Sequence, residues 1–286
     1  MTETELIEKL TRNIPRKKGP LQIGIGDDCS VIRAGNKDIL ISCDSLVQNI
    51  HFKKSWGSWN IWGAKAAAAA LSDIAAMGGK PCYAWINLAL PAHFKTTDIQ
   101  KFYKGLLGVF KKFDVTLAGG NITRAPEDFA ATTTVWGEVK KGKAMLRSQA
   151  KPGDAVYVGG ALGKRGQWQP QIKLGEWLVS KGCKAAIDVS DGLLKDLEHM
   201  AQASLVKIVI EADKVPHVGK LKEALTYGED YILAFTMATS VGQARGQGPK
   251  IFKIGKVVKG KPGVQVVNSK GQLLSFQKKG FEHKVG

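Results

Sequence analysis

The chain has 286 residues, enough for two medium cores, and its 44% hydrophobic and 23% charged content is that of an ordinary globular protein. No apolar run approaches the ~20 residues that span a bilayer, and the opening "MTETELIEKLTRNIPRKKG" reads as an amphipathic helix without the basic-then-apolar order of a secretory signal, so no membrane partner is expected and the compartment is cytoplasmic. The net charge of +17 sits mostly in residues 140–286 (25 Lys and Arg against 12 Asp and Glu), but those lysines are dispersed and accompany no zinc-finger, RRM or basic-zipper pattern, so no nucleic-acid partner is expected.

In chain order, "DILISCDSLV" (38–47) is β-branched and apolar and predicts a strand running into a polar site. "GAKAAAAALSDIAAMG" (63–78) is alanine-rich, with Gly78 and Gly79 as a stop, and predicts a buried helix. A strand is expected over 81–91, a helix over 96–113 with Thr97 as its N-cap, and strands at "DVTLAGG" and 129–139. Trp56, Trp59 and Trp62, spaced three apart, are expected to serve packing or a subunit contact. The order β-α-β-α-β-β defines a first domain over 1–140. Pro152-Gly153 opens the second, 141–286, where strands "DAVYVGG", "VKIVIEAD", "DYILAFTM" and "KIFKIGKVV" alternate with helices "PQIKLGEWLVSKG" and "GLLKDLEHMAQAS". The fold class is α/β (α+β) in two domains.

Four scattered cysteines (Cys29, Cys43, Cys82, Cys183) lack CxxC spacing, favour neither a disulfide framework nor zinc, and fit a reducing compartment. The chemistry lies in the carboxylates. Asp27 and Asp28 in "GIGDDCS", Asp44 in "ISCDSL", Asp73 in "LSDIAAMGG", and Asp188 and Asp191 in "IDVSDG" stand beside Gly- or Ser-rich turns, as do Glu229 and Asp230 in "YGEDY". One such Asp is a turn former or helix cap. Their recurrence points to carboxylates that converge, which repel unless a hard cation lies between them; with phosphates that cation is Mg²⁺. Glycine-rich turns offer backbone N–H groups to an anion. "SDG" ahead of a helix fits that use, with Ser190 and the following N–H groups facing the ligand, and fits a plain Ser/Asp cap equally well. "TLAGGNITR" (116–124) places Gly119, Gly120 and Asn121 at an expected strand end. The chain has no GxxxxGK[ST] loop and no nucleophile elbow, so neither a P-loop enzyme nor a Ser-His-Asp hydrolase is expected.

Taken in order, "GIGDDCSVI", "CDSLVQNIHF", "GAKAAAAALSDIAAMGGKP", "AGGNITR", "RSQAKPGDAVYVGGALG", "AAIDVSDGLLKDLEHM", "GEDYILAFT", "KIGKVV" and "GFEH" cover nearly the whole chain. In this it resembles the thiamine-monophosphate kinases of the aminoimidazole ribonucleotide synthetase superfamily. The resemblance implies transfer of the ATP γ-phosphoryl group onto thiamine monophosphate, with several Mg²⁺ ions. It implies a homodimer whose N-terminal α/β domains pair through their sheets, and a C-terminal α/β sandwich domain completing each active site. Asp27, Asp44, Asp73, Asp188 and Asp191 fall at its Mg²⁺ ligands, with Ser42 and Cys43 beside Asp44. Gly120, Asn121, Arg147 and Ser190 fall where ATP is handled, and His51 and Glu229 where the thiamine phosphate is held. No dedicated catalytic base is implied, because a phosphate acceptor is already anionic and catalysis is positioning and charge neutralisation.

The chain departs from that pattern in five places. Asn121 replaces a metal-binding Asp, Cys43 stands for a Thr, and Tyr227 for a Gly beside the substrate loop. Lys278 stands where an aromatic that stacks on thiamine is expected, and "GGALGKRGQWQPQIKLGEWL" is shorter than the family's segment. The departures keep two other readings open: a relative acting on another phosphorylated small molecule, and a non-catalytic nucleotide-binding homologue.

Overall fold

A computed structural model of the chain describes residues 2–15, 19–164, 166, 168–238 and 249–283, so parts of the expected N-terminal helical stretch, residues 1 and 16–18, lie outside the described residues. The first half runs α1 (Glu3–Thr11), β1 (Leu21–Ile23), β2 (Ser30–Ala34), β3 (Lys37–Val47), α2 (Trp59–Ala76), β4 (Lys80–Pro91), α3 (Thr96–Lys112), β5 (Thr116–Ala125) and β6 (Ala130–Lys140). The second runs β7 (Asp154–Val158), α4 (Ile172–Ser180), β8 (Ala185–Asp188), α5 (Leu193–Ala203), β9 (Lys207–Glu211), α6 (Leu221–Thr226), β10 (Leu233–Ala238), β11 (Phe252–Val258), β12 (Gly263–Val267) and β13 (Leu273–Leu274). The strands form two sheets, ordered β1-β2-β3-β6-β4-β5 and β13-β12-β9-β11-β7-β10-β8. The expected mixed α/β class is present.

Period-two alternation sets the first sheet. Along β3, Asp38, Leu40, Ser42 and Leu46 are buried while Lys37, Cys43 and Ser45 are exposed, and β3 pairs with β6 without interruption from Lys37↔Lys140 to Val47↔Ala130. One face is covered by helices. The other is open: Tyr83 is 41% exposed and Trp85 36%.

Helix α2 joins the halves. It is apolar on nearly every side, as a helix buried in the middle of a molecule must be. Its alanines follow from close packing: a Cβ on Gly63 would lie 1.8 Å from the Phe102 carbonyl oxygen in α3, and one on Gly175 in α4 would lie 2.2 Å from the Ala75 oxygen. A continuous apolar core therefore runs from Leu71 and Ile74 to Leu178 and Phe235 of the second half.

Several local expectations are corrected. Helix α2 begins at Trp59, four residues early, because Trp59 and Trp62 enter an aromatic cluster with Phe52 and Phe129; only Trp56 stays exposed. Lys95, not Thr97, is the N-cap of α3, and no side chain caps it. β5 runs on to Ala125, so Gly119-Gly120-Asn121 lies inside an edge strand rather than at its end. Gly120 is required there by packing, since a Cβ would meet the Ile86 carbonyl oxygen at 2.0 Å. β10 begins only at Leu233, because Glu229 (φ 67) and Tyr231 (φ 49) take left-handed backbone that no strand accommodates.

Candidate active site

The turn before β2, the last turn of α2 and the end of β8 converge. Asp28, Asp73 and Asp188 each bring a carboxylate oxygen within 4.8 Å of the others. The Ser42 hydroxyl donates to Asp73, but Asp28 Oδ2 and Asp188 Oδ2 are buried without a hydrogen-bond partner among the described residues. Burial, reinforced by Asp28, pushes the Asp188 carboxyl up to about 7. Asp73 is raised well above the carboxylate range by burial and then by Asp188, and it sits at the negative end of the α2 dipole. Converging, partly orphaned carboxylates of this kind fit a divalent cation with oxygen ligands.

Of the adjacent pair Asp27 and Asp28, it is Asp28 that faces this cluster. Asp27 turns the other way and accepts the backbone N–H groups of Asp28 (3.0 Å) and Arg147 (3.2 Å). Burial and then Asp28 push it up to about 7. The Arg147 guanidinium lies 2.6 Å from Asp28; burial works most strongly against its charge, but Asp28, Asp27 and Asp188 together outweigh that and hold it above its ordinary value.

A cavity of about 950 Å³ opens beside the cluster. Its lining includes the acidic group Asp44, Asp73, Asp188 and Asp191 with Ser190. It also includes His51, Lys65, Trp168, Tyr227, Glu229 and Phe281. Asp44 is pushed up to about 6 by burial. His51 is lowered to about 4 by burial and then by His283 and Lys65, and its Nδ1 accepts the Val47 N–H at 2.9 Å, so Nε2 carries the proton. The Glu229 N–H donates to the Ser190 carbonyl at 2.7 Å, and a Cβ on Gly228 would lie 1.9 Å from that same oxygen. The "GED" loop is thus clipped onto the end of the Asp188 strand.

Sequence reasoning missed three cavity residues. Lys65 is hidden in the alanine run, and Trp168 lies on the shortened segment. Phe281 belongs to the quoted "GFEH", yet Lys278 was read as standing in for an aromatic; both line the cavity, with the Lys278 ammonium 6.0 Å from the Phe281 ring. Of the "SDG" expectation only the backbone cradle fails, while Ser190 itself lines the cavity. The N–H groups of Ser190, Asp191 and Gly192 all donate to Asp196 Oδ2, at 3.1, 3.2 and 3.0 Å, so an internal carboxylate fills that anion position.

Asn121 and Gly120 are not brought to the cluster within one chain. Register places Asn121 in a row with Asn87, Thr132 and Ser45, where Ser45 and Thr132 hydroxyls lie 2.8 Å apart on the open face. Three strand spacings, about 14 Å, separate the Gly120 backbone from Asp44, whose side chain points to the opposite face. Cys43, next to Asp44, also points to the open face, 3.4 Å from the Thr134 hydroxyl.

Residues 26–139 match the family described as AIR synthase related protein, N-terminal domain, which gives the class of the N-terminal half. The chain is 31% identical to the thiamine-monophosphate kinase of Bacillus subtilis (strain 168) over 99% of both chains. It is 32% identical to that of Escherichia coli (strain K12) over 82% of both. It superposes on a solved structure of AaThiL complexed with AMPPCP and TMP with a TM-score of 0.87 at 27% identity, covering 99% of this chain and 97% of that one. The chain belongs to the thiamine-monophosphate kinase family.

Proposed function

We propose that the chain transfers the γ-phosphoryl group of ATP to the phosphate of thiamine monophosphate, giving thiamine diphosphate and ADP. The observation that carries this is one cavity lined both by Asp44, Asp73, Asp188 and Asp191 and by His51, Glu229 and Phe281. The first group suits metal-bound phosphates. The second offers a carboxylate and an aromatic ring, which suit a cationic heteroaromatic.

Asp28, Asp73 and Asp188, with Asp44 alongside, would hold Mg²⁺, which when bound neutralises phosphate charge during transfer. Arg147 fixes Asp28 for that role. His51, neutral and with Nδ1 engaged, can donate from Nε2 to the acceptor but is too weak a base to take a proton near neutral pH. Ser190 and Asp191 sit where the strand end meets the phosphates, their backbone held by Asp196.

We assign the open face of the N-terminal sheet to a homodimer contact, because a face carrying Tyr83 and Trp85 is costly to leave in water. Asn121 belongs to that surface, so whatever it contributes to ATP binding comes from the dimer side. The two units divide near Lys140, and each supplies one wall of the cavity. No helix among the described residues is long and apolar enough to cross a membrane; a cytoplasmic location is our reading from the thiamine chemistry and the free thiols.

A coupled ADP-release assay tests the assignment. Turnover with thiamine monophosphate is expected; none above background at saturating ATP and Mg²⁺ overturns it. Stronger thermal stabilisation by a different phosphorylated metabolite would move the acceptor, in line with Tyr227 and Trp168 in the cavity wall.

A further inference from the structure

We infer that Lys65 receives the phosphate of the acceptor, by exchanging its ion-pair partner Glu229 for the incoming substrate. The inference rests on the acceptor assignment above and adds to it a residue to which the resemblance gave no role.

Lys65 stands in the alanine run of α2, and its side chain is only 2% exposed. A buried ammonium is costly where a hydrocarbon chain would pack without penalty. Its Nζ donates to the His51 carbonyl at 2.8 Å and to Glu229 Oε1. An ammonium has three donors, and among the described residues the third finds no hydrogen-bond acceptor, only the Trp168 ring 5.3 Å from Nζ. Glu229, by contrast, is 43% exposed at its side chain and turned toward the cavity, so it can take a new partner without being freshly buried.

The charge arrangement gives the pair a use. Among the described cavity-lining residues, Lys65 and Lys278 are the only Lys or Arg side chains, and Lys278 is exposed at the mouth. Asp44, Asp73, Asp188, Asp191 and Glu229 are all acidic. A phosphate entering that wall is repelled unless a cation meets it, and Lys65 is the buried protein cation there. Thiamine monophosphate carries a fixed positive ring and a negative phosphate, the inverse of the Lys65–Glu229 pair. Binding can therefore exchange one ion pair for two: the ring meets Glu229 and the phosphate meets Lys65. The carbonyl of His51 keeps the ammonium in place during the exchange.

Calorimetric binding of thiamine monophosphate and of thiamine, which lacks the phosphate, separates this role from a structural one. Wild type, Lys65→Met and Lys65→Arg are compared, with AMPPCP binding as the control for folding. Lys65→Met is expected to weaken thiamine monophosphate at least tenfold and to leave thiamine within about twofold, and Lys65→Arg to restore part of the preference. Equal loss for both ligands, or an unchanged preference, overturns the inference. If Lys65→Met does not fold, the ammonium of wild-type protein labelled with ¹⁵Nζ-lysine decides: the Lys65 signal, identified by its absence in Lys65→Arg, must move with thiamine monophosphate and not with thiamine. A signal that ignores thiamine monophosphate overturns the inference. Wild-type protein that binds neither ligand overturns the acceptor assignment and this inference with it, whereas wild type that binds thiamine monophosphate while Lys65→Met keeps its preference overturns this inference alone.

Discussion

Arg147 and Asp28 meet at 2.6 Å behind the carboxylate cluster, tying the segment after β6 to the turn before β2, with no exposure of the Asp28 side chain. Removing the guanidinium leaves a buried carboxylate uncompensated. Arg147→Met is therefore expected to cost about 3 kcal/mol of stability. Mg²⁺ should return part of that loss, because a cation in the cluster neutralises the same charge. Urea unfolding with and without Mg²⁺ measures both; a loss that ignores Mg²⁺ would place Asp28 outside the metal's field.

The pH dependence of the metal-free protein follows from the raised carboxyls. Asp27 and Asp188 stand at about 7 and Asp44 at about 6 in the folded chain, against ~3.9 unfolded. The folded state then holds more protons than the unfolded one between those values, so stability falls as pH rises from about 4 to about 7. His51, lowered to about 4, and His199, also lowered, act in the opposite direction below about 6.5. Asp73 and Asp196, also raised by burial, add to the same trend, so the carboxyls outweigh the two imidazoles and a net loss of stability is expected from pH 5 to 8. Thermal melts across this range should show it, and Mg²⁺ should flatten the trend.

Mg²⁺ itself should raise the melting temperature without nucleotide. Asp188→Asn, which removes a ligand and much of the repulsion, is expected to abolish that shift while leaving the metal-free protein as stable or more so. Asn121→Asp, on the other face of the sheet, should leave the shift unchanged. A shift that Asn121→Asp enlarges would bring position 121 into the metal site, through a second copy of the chain.

Asp196 binds three backbone N–H groups through one oxygen. Asp196→Ala strands all three at a buried strand end and should cost at least ~3 kcal/mol; Asp196→Asn, which keeps a carbonyl acceptor, should cost less. Equal losses in denaturant melts would mean that the negative charge itself, not the acceptor, is what the loop requires.

For the open face, Trp85→Arg replaces an exposed aromatic with a charge. Analytical ultracentrifugation should show a monomer in place of a dimer. A wild-type monomer, or a variant that still dimerises, removes the assignment of this face.

The regular elements were legible where the pattern was long. The alternation in 38–47 and the alanine run each specify one period over several turns or residue pairs, and β3 and α2 follow. Short strands such as β1 and β13 were not legible, since two or three residues carry no period. The late start of β10 was hidden because nothing about Glu229 or Tyr231 announces left-handed backbone. At the site, residue type was readable but direction was not. Whether Asp27 or Asp28 faces the cluster depends on the turn that Gly26 (φ 115) sets, and Asn121 was misplaced because an edge strand and a strand end look alike in "TLAGGNITR". Lys65 was invisible in sequence: a single lysine among alanines suggests solvent, whereas here it points into a cavity.

Strand β3 serves two surfaces with one backbone. Ser42 and Asp44 look toward the carboxylates, while Cys43 and Ser45 look toward the open face. Neighbouring positions on it are only about 3.3 Å apart along the chain. With the subunit contact and metal site proposed above, a substitution selected for subunit affinity would shift the same plank on which metal affinity depends, and drift in one property would be visible to selection on the other. Such a strand evolves as a unit, which gives the segment 42–45 less freedom to vary than its partial exposure would suggest.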